Sequence, residues 1–456
     1  MMKKHLVHVA SACALGCIAA SAQSADTDFV KQRLATIAKS HTAENAFMGA
    51  VLVAAGDQIL LDKGYGMANL EWNVPDAPDV RFRVCSITKQ FTAALVLLLQ
   101  QDGKLRIDDP VGKYLPNAPK SWAKITLADL LDHTSGIPDR VSDPQFESWS
   151  MSPHTVAEQM AYFFDRPLDF EPGSKFAYSN SNYVVLGVVI EHVSGKKYEQ
   201  LLHERILDPL GMKNTGMDTD ELVLPKRAYG YAATKTGLQA IRTVSMSLPW
   251  ASGSMYSTTG DLLRWERALF GGQVLNKESL KRMTTAGKGN YGLGVEVDRH
   301  DGVQVVQHGG AVQGFNAQLS YVPERKIAVI VLSNVNGTAT ATMGAQLLDV
   351  ALGKTVILPS ERRPVPIAKE ELSKFTGIYD VSPAFSITIA QAGDSLTAQG
   401  SSQPRGMPMI YQGITAGHPR FYIPKNDAEI EFVPDSTGKV TSLVVHNGGD
   451  RPAKKR

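Results

Sequence analysis

SITKQFTAALVLLLQQDGKL, residues 86–105, is the stretch from which the rest of the chain can be ordered. From Phe91 it is apolar nearly all round and it stops at Gly103, the pattern of a helix buried inside a domain. Its head carries Ser86-Ile87-Thr88-Lys89. A serine hydroxyl is a poor nucleophile until a base takes its proton. Residues three apart share a helix face, so a helix beginning at Ser86 puts Lys89 within reach of that hydroxyl. The helix N-terminus favours an alkoxide, and burial would depress the lysine pKa and help it accept a proton. The same spacing recurs in Ser121-Trp122-Ala123-Lys124 and Ser194-Gly195-Lys196-Lys197, but both lie in polar surroundings.

On the N-terminal side, FVKQRLATIAKSH (29–41) has helical periodicity, and GAVLVAAGDQILLDKGYG (49–66) reads as two strands around Gly56-Asp57. Downstream, helical stretches such as TVAEQMAYFF and YVVLGVVIEHV alternate with Gly-, Pro- and Asn-rich loops up to about residue 250. Then VQVVQHGG (303–310), FNAQLSYVPE (315–324) and KIAVIVLSN (326–334) follow one another as in an antiparallel meander, so strands from both ends of residues 27–355 are expected to pair in one sheet. ILPSERRPVPI (357–367), with three prolines in eleven residues, predicts a linker over 356–371. Beyond it, GIYDV, SITIA, RFYIP, EIEFVP and TSLVVHN are short β-rich runs. They predict a small all-β domain over 372–456, its sheet curled into a half-open, lipocalin-like barrel. The closing Lys454, Lys455 and Arg456 read as a solvated end.

A chain of 456 residues is too long for one ordinary core and agrees with two domains. With 43% hydrophobic residues, 20% charged residues and a net charge of +2, nothing points to nucleic acid. Residues 1–22 have a cationic start, a short apolar run and Ala20-Ser21-Ala22, which predicts a cleaved signal and an exported protein, periplasmic or secreted, with no transmembrane segment in the mature chain. Ala14-Leu15-Gly16-Cys17 offers a second exit, lipidation at Cys17. Cleavage near Ala22 leaves Cys85 as the one thiol; an apolar helix follows it and packing is its expected role.

Two further motifs bear polar chemistry. Tyr178-Ser179-Asn180 sits where a polar loop feeds the apolar helix YVVLGVVI. A phenol there can relay a proton and an amide can hold a carbonyl, although packing and helix capping explain the same residues. His308-Gly309-Gly310 ends a strand, where glycines let a substrate approach the backbone. No second His or Cys stands at a zinc-like spacing from His308, so no metal is expected, and neither G-x-S-x-G nor any phosphate or dinucleotide fingerprint occurs. No cofactor is expected.

In this order and spacing the three motifs, with LLDHTSGIPD (130–139) and ASGSMYSTTGDLLRW (251–265), resemble the serine beta-lactamase and penicillin-binding superfamily. The resemblance covers roughly residues 27–350 and is nearest to the branch of class C beta-lactamases, DD-peptidases and related esterases. It implies an α+β fold of three layers, helix, antiparallel sheet and helix, with a helical subdomain and the site in the cleft between them. By that similarity Ser86 is the nucleophile, Lys89 and Tyr178 share the acid/base work, Asn180 orients the substrate, and the backbone N–H groups of Ser86 and Ala311 form the oxyanion hole. At the third motif, where lactamases usually have Lys-Thr-Gly, this chain has His308, Gly309 and Gly310. A neutral imidazole holds a carboxylate less well than a cation does.

The expectation is therefore an exported serine hydrolase that cleaves an ester or a D-amino-acid-containing peptide or amide through a Ser86 acyl-enzyme. A beta-lactam ring is the alternative substrate, and a non-catalytic ligand-binding or sensor protein the alternative class. The expected partner is a small-molecule or peptide substrate; the sequence specifies no oligomeric state. Phe146, Trp149, Phe163 and Phe164 read as packing residues before cleft-lining ones.

Overall fold

The computed structural model describes residues 27–43, 46–234, 236–241, 244–426, 428–446 and 450–456. The expected signal, its cleavage at Ala22 and lipidation at Cys17 lie outside the described residues. The chain divides into two compact units, Met1–Lys354 and Thr355–Arg456.

The first unit opens with helix α1 (27–43), followed by the hairpin β1 (Gly49–Ala55) and β2 (Gln58–Tyr65). The buried helix α2 (Thr88–Gln101) comes next, then α3 (Asn180–Ser194) and α4 (Thr259–Phe270). The meander follows as β3 (Glu296–His300), β4 (Val303–Val312), β5 (Phe315–Val322) and β6 (Ile327–Ser333), and α5 (Ala339–Ala351) closes the unit. The six strands form one antiparallel sheet in the order β3-β4-β5-β6-β1-β2. β6 is buried at every residue because α4 and α5 both pack against it, which explains why IAVIVLS lacks the alternation of a half-exposed strand.

α2 is buried from Thr88 to Leu99 without a break. Phe91 stacks on Trp265 of α4, with centroids 4.1 Å apart, and the Trp265 indole N–H donates to Gln90 Oε1 (2.8 Å). Burying each large apolar side chain of α2 is worth about 1.5–3 kcal/mol, enough in sum to hold a polar group among them. α3 crosses beside it: a Cβ on Gly187 would fall 2.5 Å from Trp250 and 2.8 Å from Ala251 Cβ, so a side chain there would push the 250–252 turn away from both helices.

In the second unit eight strands form a barrel: β7 (Gly377–Ser382), β8 (Phe385–Ala392), β9 (Ser395–Gly400), β10 (Met407–Thr415), β11 (His418–Ile423), β12 (Ala428–Pro434), β13 (Val440–His446) and β14 (Asp450–Lys455). The barrel is closed, not half-open as the sequence predicted. The element that closes it is the charged tail read as a solvated end. β14 pairs with β13 from Asp450 to Lys454 and with β7 at Tyr379↔Lys455 and Asp380↔Lys454. Only Ala453 of this strand is buried, so its inward signal is a single residue in a run of charges. Phe375, Tyr379, Phe421 and Phe432 fill the interior against one another. Part of the segment expected as a linker is bonded to this unit: Val365 N–H donates to Tyr411 O (3.0 Å), and Arg362 pairs with Glu429 (2.8 Å).

Candidate active site

The α-helix does not begin at Ser86. The chain leaves a two-residue strand, Phe82–Arg83, passes through Cys85 with φ +52°, and makes a 3-10 turn over Cys85–Ile87 before α2 starts at Thr88. A left-handed non-glycine residue is strained and persists only where its surroundings enforce it; here Thr88 Oγ1 bonds Cys85 O (2.7 Å) and Ile87 N–H bonds Val84 O (3.2 Å). Residues three apart nearly eclipse in a 3-10 turn, which sets Lys89 over Ser86.

Lys89 is wholly buried, and its Nζ lies 3.1 Å from Ser86 Oγ, 2.9 Å from Asn180 Oδ1 and 2.8 Å from Ser252 O. None of these partners is a carboxylate. Burial lowers its pKa to about 7, with the Arg140 charge adding to the effect and Asp139 opposing it. A free amine in this place can donate to Asn180 Oδ1 and Ser252 O and still offer its lone pair to the Ser86 hydroxyl. Lys124 and Lys197, the lysines of the two Ser-x-x-Lys runs compared above, have side chains 82% and 84% exposed and stand in water, where Lys89 stands in the core.

The Tyr178 hydroxyl stands beside Ser86, and its ring centroid lies 4.8 Å from Lys89 Nζ. Burial raises its pKa above the usual phenol value, so it holds its proton at neutral pH. Its loop is pinned by His133, a buried residue at φ +60° whose Nδ1 accepts from Ser179 N–H (3.1 Å) and whose ring lies 4.3 Å from that of Tyr178. Asn180 starts α3. Its backbone N–H donates to Asp139 Oδ1 (3.0 Å) and its Nδ2 to Asp139 Oδ2 (3.2 Å), while its Oδ1 faces Lys89. The helix cap therefore comes from Asp139, 41 residues away. With both ends of its amide engaged inside the protein, Asn180 positions Lys89 at least as much as it faces the cleft.

His308 is 2% exposed and bonded through Nε2 to Tyr291 Oη (2.8 Å). Burial, with the Lys89 charge, takes its pKa down to about 3, so it is neutral at working pH. Beside it, Gly310 is a close-approach residue: a Cβ there would meet Val84 O at 2.5 Å and stand 3.2 Å from Ser86 N. Ala311 follows on β4, opposite Asn316. Cys85 packs between these elements, its thiol pushed up to about 12 by burial, and is no nucleophile.

Ser86, Tyr178, Asn180 and the strand His308–Val312 line one cleft of about 930 Å³. Val141, Phe146, Val244, Leu248 and Pro249 give it an apolar wall. Of the four aromatic residues considered from sequence, Phe146 lines the cleft, Phe163 and Phe164 pack on Trp122, and Trp149 stacks on His154. Sequence reasoning missed Tyr291 and Glu296 altogether. It quoted His133, Asp139 and Ser252 within longer stretches without giving them a part, because each acts through a partner distant in the chain. No group of three ligating side chains suited to a metal ion occurs among the described residues.

An antiparallel sheet between helices, with a serine, a lysine and a tyrosine converging in a cleft at its edge, defines a serine hydrolase of the beta-lactamase superfamily. The chain belongs to the beta-lactamase family, whose model matches residues 34–352; a domain of unknown function, DUF3471, matches residues 361–454. The D-aminopeptidase of Gluconobacter oxydans (strain 621H) is 28% identical over 325 residues, 67% of this chain and 59% of that one, so this chain spans less than two thirds of that enzyme. The penicillin-binding protein of Bacillus halodurans superposes with a TM-score of 0.62 at 26% identity, covering 68% of this chain and 97% of that one. The D-amino acid amidase of Ochrobactrum anthropi SV3, solved with D-phenylalanine, superposes with a TM-score of 0.64 at 26% identity, covering 72% and 99%.

Proposed function

We propose that the protein cleaves D-amino acid amides, or peptides and esters built on them, through an acyl-enzyme on Ser86. The observation that carries this is the buried Lys89, without a carboxylate partner, whose Nζ lies 3.1 Å from Ser86 Oγ. Lys89 Nζ takes the Ser86 proton as Oγ attacks the acyl carbon. The oxyanion falls to the N–H groups of Ser86 and Ala311, each worth roughly 3 kcal/mol where charge develops. Tyr178, still protonated, hands its proton to the leaving nitrogen and recovers one from Lys89 by way of the hydrogen-bonded site; water then attacks the ester along the reverse proton path. The D-aminopeptidase and D-amino acid amidase relatives support the acyl class. The neutral His308 counts against tight binding of a penicillin carboxylate.

The test is intact-protein mass spectrometry after exposure to a fluorophosphonate and, separately, to a penicillin, on the wild type and Ser86→Ala. One fluorophosphonate adduct, absent from the variant, is the expected result, with slow or no penicillin labelling. Absence of any adduct would overturn the acyl-enzyme and favour a binding protein. We also propose export, supported by the composition of residues 1–22. A chain recovered outside the cytoplasm beginning at Gln23 is the expected outcome, and a lipid-modified Cys17 the competing one.

A further inference from the structure

The side chains facing the cleft leave one partly buried charge unanswered. Among the described residues lining it, the charged ones are Arg140, Asp143, Glu147 and Glu296. Arg140 is buried and committed to Gln159 and Leu248 O, and Asp143 is paired with Arg166. Glu147 stands exposed on the short helix Phe146–Trp149. Glu296, at the start of β3, is half-buried, and its carboxylate makes no hydrogen bond or ion pair among the described residues. It lines the same cleft as Ser86, Tyr178 and His308. Burial, with the Asp298 charge, raises its pKa. A carboxylate removed from water without a cation of its own is in want of one.

We propose that Glu296 binds the free ammonium group of the substrate, making the cleft selective for unblocked amino acid amides and amino-terminal residues over N-acylated or carboxylate-terminated ones. The charge inventory supports both halves of this selectivity. The described lining offers an unpaired carboxylate to an ammonium, and for a carboxylate only a neutral imidazole and a committed guanidinium. The apolar wall of Val141, Phe146, Val244, Leu248 and Pro249 suits the side chain of a hydrophobic amino acid held by its two polar ends.

This inference takes its substrate class from the hydrolase reading, so it is tested by binding, without turnover. Calorimetry on Ser86→Ala compares D-phenylalaninamide with N-acetyl-D-phenylalaninamide. The expected result is at least tenfold tighter binding of the free amine, a preference lost in Ser86→Ala/Glu296→Gln and reversed toward N-succinyl-D-phenylalaninamide in Ser86→Ala/Glu296→Lys. Equal binding of the first two ligands, no binding of either, or a preference that survives Glu296→Gln and Glu296→Lys in folded protein overturns the proposal. Fluorophosphonate labelling of the wild type reports separately on the hydrolase reading, so failure of one is distinguishable from failure of the other.

Discussion

Lys89 and Arg420 are both cations withdrawn from water, one in each unit, and their surroundings treat them in opposite ways. Arg420, on the outer side of the barrel, bonds Glu429 and Glu431; Glu431 also bonds His418 and His446, and Arg362 pairs with Glu429. Every cation there has a carboxylate in contact. Lys89 has none: a hydroxyl, an amide oxygen and a backbone carbonyl surround it, while the nearby carboxylate of Asp139 is spent on Asn180. A compensated charge stays charged and holds structure together, whereas an uncompensated buried one sheds its proton and becomes a reagent. The contrast locates the chemistry before any mechanism is assumed.

The strongest way to break that comparison is to remove the uncompensated cation. Lys89→Met is expected to cut kcat at least roughly 10³-fold while raising the Tm of the first unit by a few degrees, since an apolar side chain relieves a buried charge. Turnover and calorimetry on one preparation check both, and a Tm that falls by several degrees would make Lys89 a structural residue. Asn180→Asp sharpens the comparison by placing a carboxylate against Lys89 and making it resemble Arg420. Activity at pH 7 is expected to fall about 10- to 100-fold, with the acid limb of the pH–rate profile displaced upward by a unit or more.

In the wild type that limb should lie near pH 7, activity rising as Lys89 loses its proton. The same shift has a stability counterpart. Between about pH 7 and the ordinary lysine range the unfolded chain binds a proton that the folded one does not, so Lys89 makes the fold more stable as pH rises through that window. Gly310→Ala tests the close approach of β4 to Ser86. A methyl group against Val84 O should lower kcat/KM roughly tenfold and slow fluorophosphonate labelling by a similar factor.

The smallest effect is expected in the barrel. Glu431→Gln removes the charge shared by Arg420, His418 and His446 and should cost about 1–3 kcal/mol in urea unfolding of the second unit. Burial raises the Glu431 pKa, but the hydrogen bonds from the two histidines and the Arg420 charge outweigh it and hold the carboxyl below its ordinary value. Its stabilisation is thus present above the usual carboxylate range and fades as pH falls through the folded value, a slope of the same sign as that of Lys89 but in an acidic window instead of an alkaline one. A barrel equally stable in Glu431→Gln would show the network to be ornament on the surface.

The sequence by itself determined whatever depends on neighbours in the chain. The buried α2 follows from its unbroken apolar run, the Ser86–Lys89 face from a spacing of three, and the meander β4–β6 from strands joined by short turns. Local spacing does not distinguish Ser86-x-x-Lys89 from Ser121-x-x-Lys124 or Ser194-x-x-Lys197; the length of the apolar helix after it does, and the structure agrees in the exposure of Lys124 and Lys197. Tertiary structure alone decided the rest. Ser252 O, Asp139 and Asn180 meet around Lys89 from positions up to 163 residues away, β14 closes the barrel through one inward alanine, and Glu296 lines the cleft of Ser86 from a strand far along the chain. Such contacts carry no local period, and desolvation, which sets the charge on Lys89, His308 and Glu296, is a property of everything packed around a group and of nothing beside it in the chain.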